Sequence, residues 1–584
     1  MCASNVVLLP RPDRFRIPPA GRRSWIVIVL TTFLVACAPA RPSTPGGSQA
    51  QAIPSEASPA RTLSIIMRAE PNDMLTGFVD RSAIHKPVFT ATLASWNVQE
   101  QPFPILAEAI PQLSTEGWKL FPDGRMETTY KLRPNLTWHD GQPLTADDFV
   151  FTLRTEKYRL ETGAAPSAEL KQMDEILAPD ARTVVIRWKQ PYAEAAAPEL
   201  IPLPRHVLEP LSTRMDAEAF FNHPAWHTEW IGAGPFKVER WERGSFIEGI
   251  AFAGFALGKP GVNRVRLSWN NDPNVSLTRL LSGDADLALD GAIRFEQASV
   301  LRDQWREAGK ILLNPTSLRY VQFQARPEYV SPKALLDLRA RKAVFHAIDR
   351  TALAEAMLED RSLVADTVPP RGMAYSDAVE RAIVKYPFDP RRTEQLLTEL
   401  GFAKGGDGIA TSPSEGRFRM EVRGVSGGQE EQDTTIVAGY MRDAAIDGTI
   451  TLLPSSSRQV DEKMKSTFPG ITLNNNTLQR GLGLDKWTTT RLGGPENEWT
   501  GTNRMGWTNP EFDRLYDAWR TTLSREEAGQ RMTEMMKLLS EELPSLPLYY
   551  NYQVVAHTAA LVGPQPITPD STRYSNVHEW TWAR

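Results

Sequence analysis

Cysteine is almost missing from this chain. Only Cys2 and Cys37 occur, both close to the beginning. Everything after them is therefore without disulfides, reactive thiols or thiolate metal ligands. Neither sign of charge dominates: 66 Lys and Arg stand against 70 Asp and Glu, a formal net charge of −4. That balance excludes the basic excess of a nucleic-acid binder. The apolar run Trp25 to Val35 is too short to span a bilayer comfortably. No Gly-x-x-x-x-Gly-Lys-[Ser/Thr] string occurs, so ATP hydrolysis would belong to another chain. What the chain has is length, 584 residues, with 41% hydrophobic residues and 45 prolines. These numbers predict a loop-rich globular protein of two or three domains.

The beginning reads as an address. Arg22-Arg23 supply positive charge, Trp25 to Val35 the apolar region, and Leu34-Val35-Ala36-Cys37 resembles a bacterial lipobox. This predicts a lipoprotein signal over 1–36, lipidation of Cys37, and a flexible tether over 37–61, rich in Pro, Gly, Ser and Ala.

Tyr130 to Arg154, YKLRPNLTWHDGQPLTADDFVFTLR, is the most informative stretch. Tyr130 to Arg133 alternates as a strand end. Pro134-Asn135 and His139-Asp140-Gly141 are turn chemistry. Thr145-Ala146-Asp147-Asp148 opens a helix: the Thr145 hydroxyl is expected to cap the Asp148 amide, and both carboxylates sit at the positive end of the helix dipole. Phe149, Val150 and Leu153 form its apolar stripe.

This string resembles the signature of the family 5 extracytoplasmic solute-binding proteins, the peptide and nickel receptors of ABC importers. Further strings resemble the family in order. They include Phe103 to Glu108, Gly232-Ala233-Gly234-Pro235-Phe236, Leu280 to Ala288, Leu335 to Leu358, Tyr386 to Pro390, Asn509-Pro510-Glu511-Phe512-Asp513 and Leu546 to Tyr552. The family's aromatic Asn-Pro block is absent, and Ala251 to Lys259 stands in its place.

The resemblance implies an α/β, two-lobed periplasmic-binding fold of type II, in its large three-part form. Its expected parts are lobe I over 62–84, 205–314 and 546–584, an extra domain II over 85–204, and lobe III over 315–545. It also implies a receptor capturing a peptide or other small polar solute between lobes. The partners would be ABC permease subunits with separate ATPase subunits. No nucleic acid, metal, cofactor or catalysis is expected. The protein would be a monomer held to the membrane by its lipid, facing the periplasm or cell exterior. Strands near Leu312 to Gln324 and Leu548 to Val555 are expected to cross between the lobes and line the cleft.

Expected ligand contacts are Asn474, Asn475 and Asn476, with Tyr549, Tyr550, Asn551 and Phe236. The family's oligopeptide receptors place a carboxylate for the peptide ammonium near the Asn run. Here that run offers amides, and the nearest downstream acid is Asp485. A buried ammonium without a counter-charge is costly. The expected ligand is thus a neutral polar molecule, or a peptide not gripped by its N-terminus.

Two other readings compete. Gly424-Val425-Ser426-Gly427-Gly428 matches a nucleophile elbow, with Asp485 and His557 in the chain order of a serine hydrolase; a ligand sensor without transport is the other. His223 and His227 have metal-ligand spacing, but Pro224 interrupts the helix this would need. His346 reads as a core histidine.

Overall fold

The computed structural model describes residues 61–75, 84–161, 168–454, 461–477, 483–569 and 571–583; Cys37, the signal and the tether lie outside them. In chain order, the elements that place the site are β1 (Thr62–Met67), α1 (His85–Phe89), β2 (Trp118–Leu120), β3 (Met126–Lys131), α2 (Ala146–Glu161), β4 (Met173–Asp180) and β5 (Thr183–Trp188). Then come β6 (Phe236–Glu242), β7 (Phe246–Ala251), β8 (Arg264–Trp269), β9 (Leu287–Ala288), α3 (Phe295–Trp305), β10 (Gly309–Phe323), α4 (Leu338–Ala347) and α5 (Arg350–Leu358). The last group is β11 (Arg419–Val425), α6 (Gln429–Asp443), β12 (Asp447–Leu453), β13 (Ile471–Thr477), α7 (Pro510–Thr521), α8 (Arg525–Glu542) and β14 (Ser545–Thr558).

A ten-stranded sheet runs in the order β12-β11-β13-β10-β14-β9-β1-β8-β7-β6. Its two halves share only β10 and β14, which pair antiparallel along their length. Gly309 to Asn314 pairs with Gln553 to Thr558, and β9 flanks β14 there. Ser317 to Phe323 forms the other half, flanked by β13. The register slips between Asn314 and Ser317. Pro315 falls in that gap and has no N–H for the ladder, which is where a bulge is cheapest. Asn314 is buried beside it, donating through Nδ2 to Gln553 O at 2.9 Å and accepting from Ile567 N–H at 2.8 Å.

Each half has its own apolar core. Leu318, Val321, Phe323 and Tyr550 pack with α4, α5, α6 and the Met-rich face of α8 in one. Leu63, Ile65, Val265, Leu267, Phe236 and Trp241 pack in the other. A third core, around Tyr130, Trp138, Phe149 and Trp188, belongs to the four-stranded sheet β2-β3-β5-β4 and the helix α2.

The signature stretch explains how that third unit docks. Gly232 N–H donates to His139 Nδ1 at 3.2 Å, so Nε2 carries the ring proton and donates to Gly234 O at 3.0 Å. The His-Asp-Gly turn and the Gly-Ala-Gly-Pro string are thus two halves of one joint. A Cβ on Gly232 would lie 2.1 Å from Phe89 O, and one on Gly234 2.5 Å from Thr90 N, so the glycines there answer to close backbone approach.

The start of α2 differs from expectation. The Asp148 carboxylate, rather than the Thr145 hydroxyl, is the capping group: it accepts from Thr145 N–H at 2.8 Å and Arg205 N–H at 3.2 Å. Asp148 is buried, and two backbone donors are what a buried carboxylate needs. A hairpin forms around Pro122-Asp123-Gly124, its first strand starting at Trp118 after a turn that puts Ser114 at φ 64°. The Leu335 to Leu358 stretch folds as a helix pair, with Asp349 capping α5 through Ala352 N–H at 2.9 Å.

Candidate functional site

At the slip between the two sheet halves, the middles of β10 and β14 and the end of β13 meet the turn before α6. Pairing assigns the side chains to faces. Asn475 pairs with Arg319, which pairs with Tyr549; Ser317 pairs with Asn551. These residues share the face covered by α6. Asn474 pairs with Tyr320, and Asn476 pairs with Leu318 and through it with Tyr550, on the opposite face. The three asparagines are therefore split between two faces.

On the α6 face a buried ion pair organises the rest. Arg319 is 5% exposed and Asp433 0%. Arg319 donates to Asp433 Oδ2 through Nε at 2.9 Å and Nη2 at 2.7 Å, and reaches Glu430 at 3.4 Å. Burial pulls the guanidinium down, and Asp433, Tyr549 and Glu430 more than offset it, so Arg319 ends above its ordinary value and stays charged. Burial likewise raises Asp433, and Arg319 and the Tyr549 hydroxyl pull it back. Tyr549 donates to Asp433 Oδ1 at 2.7 Å and accepts from Gln429 Nε2 at 3.0 Å. Gln429 and Asn551 exchange amide hydrogen bonds, at 2.9 Å and 3.2 Å. The Ser317 hydroxyl donates to Asn475 Oδ1. The chain of contacts thus runs from a fixed charge in the core to partly exposed carboxamides, Gln429, Asn475 and Asn551, at the edge. Carboxamides both donate and accept, which suits peptide groups and other neutral polar groups.

Of the other expected contacts, Phe236 lies 1% exposed in the core of its half. Tyr550 is buried on the opposite face, its hydroxyl within bonding distance of Thr367 O (2.9 Å) and Pro369 O (2.6 Å). Asn474 Nδ2 bonds Gln322 Oε1 at 3.1 Å. Asn476 is 3% exposed and accepts from Lys486 Nζ at 2.7 Å.

The same edge meets the rest of the molecule. A Cβ on Gly428, which has φ 68°, would come within 2.2 Å of Arg294 Nη1 at the start of α3. Phe295 stacks on Tyr552 with ring centroids 5.7 Å apart. Arg525 Nη2 donates to Glu100 O at 3.0 Å. Burial lowers Lys171 below its ordinary value; Arg491 and Arg520 add to that and Asp485 opposes it. Gly428 and Tyr552, the chain neighbours of Gln429 and Asn551, thus both meet the start of α3.

The Gly-x-Ser-x-Gly string does form a strand-turn-helix. However, its amides are already occupied. Val425 N–H donates to Glu430 at 3.1 Å, Gly427 N–H to Glu431 at 2.7 Å, and Ser426 N–H to Leu453 O at 2.7 Å. An oxyanion hole needs free donors. Asp485 is held by Arg491 at 2.7 Å, while His557 lies six residues along β14 from Asn551, roughly 20 Å of strand. Ser426, Asp485 and His557 are not brought together. His223 caps a short turn through Ala225 N–H, His227 sits edge-on to Trp241, and His346 Nδ1 lies 2.7 Å from Pro387 O.

Sequence reasoning missed Ser317, Arg319, Gln429, Glu430, Asp433 and Lys486. One signal was available: Arg319 interrupts the apolar strand Leu318 to Phe323, and a charge in such a strand needs a buried partner.

Bacterial extracellular solute-binding proteins, family 5 Middle, match residues 108–479, and the chain belongs to this family. Among curated relatives is a putative ABC transporter peptide-binding protein of Brucella ovis, 27% identical over 296 residues. That match takes in 50% of this chain and 51% of the relative, so the chain spans about half the length of the Brucella relatives it matches. The oligopeptide-binding protein AppA of Bacillus subtilis is 21% identical over 96% of this chain and 98% of its own length. Among solved structures, the oligopeptide-binding protein of Thermus thermophilus, in complex with a pentapeptide, superposes with a TM-score of 0.71. It is 23% identical and covers 89% of this chain and 96% of its own. The fold is accordingly the two-lobed, type II arrangement that the signature stretch implied.

Proposed function

We propose that this chain is the substrate-binding receptor of an ABC importer. It captures a peptide or other small polar solute between its lobes and passes it to membrane permease subunits served by separate ATPase subunits. The observation that carries this is the carboxamide edge at the slip between the sheet halves, held in place by Arg319 and Asp433. The peptide-binding descriptions of the relatives in Brucella and Bacillus support it.

In this reading β10 and β14 are the connection between lobe I (62–84, 205–314, 546–584) and lobe III (315–545), and 85–204 is domain II. Bending at Asn314 to Ser317 opens and closes the cleft. Asn475, Asn551 and Gln429 face the solute, with Asn474, Asn476, Tyr549 and Tyr550 shaping its surroundings and Phe236 supporting lobe I from within. The protein acts as a monomer on the periplasmic or outer face of the membrane. Its lipid on Cys37 holds it there. No helix among the described residues is long and apolar enough to cross a membrane. Cys37→Ser should move the protein from the lipid-labelled membrane fraction to the soluble fraction; unchanged fractionation contradicts the anchor.

In this reading the solute is not gripped by an N-terminal ammonium, which the pairing of Asp485 with Arg491 supports. Calorimetry with a binding peptide and its N-acetylated twin tests this. Acetylation is expected to leave affinity within about 1 kcal/mol, whereas loss of an ion pair to a buried carboxylate costs about 3–5 kcal/mol. Abolished binding of the acetylated peptide contradicts the assignment.

A further inference from the structure

Beyond the end of β13 lies an ammonium that no carboxylate among the described residues pairs with. Lys486 Nζ donates to Asn476 Oδ1 at 2.7 Å. Its neighbour Asp485 is bonded to Arg491 instead, at 2.7 Å. Arg504, close enough to act on Lys486, is paired with Glu462 at 2.8 Å, and its Nε is buried without an acceptor among the described residues. Asn476 is itself only 3% exposed, and its Nδ2 is buried with no hydrogen-bond partner among them. Gly483 passes close above this amide: with φ 97°, a Cβ there would lie 2.9 Å from Asn476 Oδ1. An orphaned buried N–H and a half-buried ammonium on one amide-lysine pair both call for an acceptor with negative charge. The pair stands on the face of β13 opposite Arg319, the face that Tyr320 and Trp487 share with rings 5.6 Å apart.

We propose that Lys486 and Asn476 form a carboxylate subsite, in which Lys486 Nζ and Asn476 Nδ2 donate to one carboxylate group of the solute. This rests on the receptor reading and narrows it: the solute, a peptide with a free C-terminus in the simplest case, presents a carboxylate at this strand end. Burial lowers the Lys486 pKa to about 8, with Asp485 opposing and Arg504 adding to the shift. A carboxylate in contact restores the charged form and raises that value.

The experiment pairs two random pentapeptide libraries, one with free C-termini and one amidated, both captured on purified protein and read by mass spectrometry. Wild type is expected to retain the free-acid library roughly tenfold or more over the amide library. Lys486→Met, which keeps length and removes charge, should lose the preference, and Lys486→Arg should keep it. Absence of a preference in wild type, or its survival in Lys486→Met, overturns the proposal. If neither library binds, the peptide reading fails by itself, and a second measurement decides the subsite. Lysines are 13C-dimethylated, and the Lys486 signal is identified by its loss in Lys486→Arg. Sodium acetate, against sodium chloride at equal ionic strength, should move that signal saturably and raise its titration midpoint. A signal indifferent to acetate overturns the proposal; the same signal decides the case if Lys486→Met fails to fold.

Discussion

Arg319→Met is expected to lower stability by about 3–5 kcal/mol, read as a shift of the urea midpoint at constant slope. The substitution leaves Asp433, at 0% exposure, without the two N–H groups that hold its charge. Part of the loss should return at acid pH, because burial already raises the Asp433 carboxyl and protonation removes the unpaired charge. Adding Asp433→Leu should restore most of the stability, since a buried ion pair replaced by apolar groups costs little. Ligand affinity should not return with it. Tyr549 would have lost the carboxylate its hydroxyl donates to, and Gln429 the fixed acceptor that orients it toward Asn551. A double variant that regains both stability and affinity would show the network to be packing alone.

His139→Leu should cost about 2–4 kcal/mol at neutral pH, because Gly232 N–H and Gly234 O each lose a buried partner. The pH dependence carries a second signature. Burial lowers the His139 pKa from 6.5 to about 4. Between those values the unfolded chain binds the proton and the folded one does not. Stability is therefore full above the unfolded value and declines as pH falls toward the folded one, by about 3 kcal/mol for this group. His139→Leu should flatten that slope. The buried His85, lowered to about 3, should leave a residual one. An unchanged slope across that window contradicts a neutral, buried imidazole at the joint.

Much of the framework was legible because it is made locally. The strand end at Tyr130, the His139-Asp140-Gly141 turn and the apolar stripe of Phe149, Val150 and Leu153 on α2 are set within a few residues of themselves. The two long strands that both sheet halves share were legible through resemblance. Thr145 was misassigned because Asp148 found its second donor at Arg205, 57 residues away. The site was less legible for the same reason. Asn474, Asn475 and Asn476 look alike as a string, yet pairing with β10 sends Asn475 to one face and its neighbours to the other. Arg319 and Asp433 are 114 residues apart, and only the fold makes them partners. Lys486 reads as a surface lysine until Asn476 is placed beside it.

A solute held at the carboxamide edge is tested most directly by native mass spectrometry of the protein isolated from the cells that produce it. The expected spectrum shows a one-to-one adduct of a small polar molecule that is released on unfolding and is lost when Gln429 and Asn551 are both replaced by Leu. A spectrum of bare protein alone, or an adduct that survives the double substitution undiminished, would contradict it.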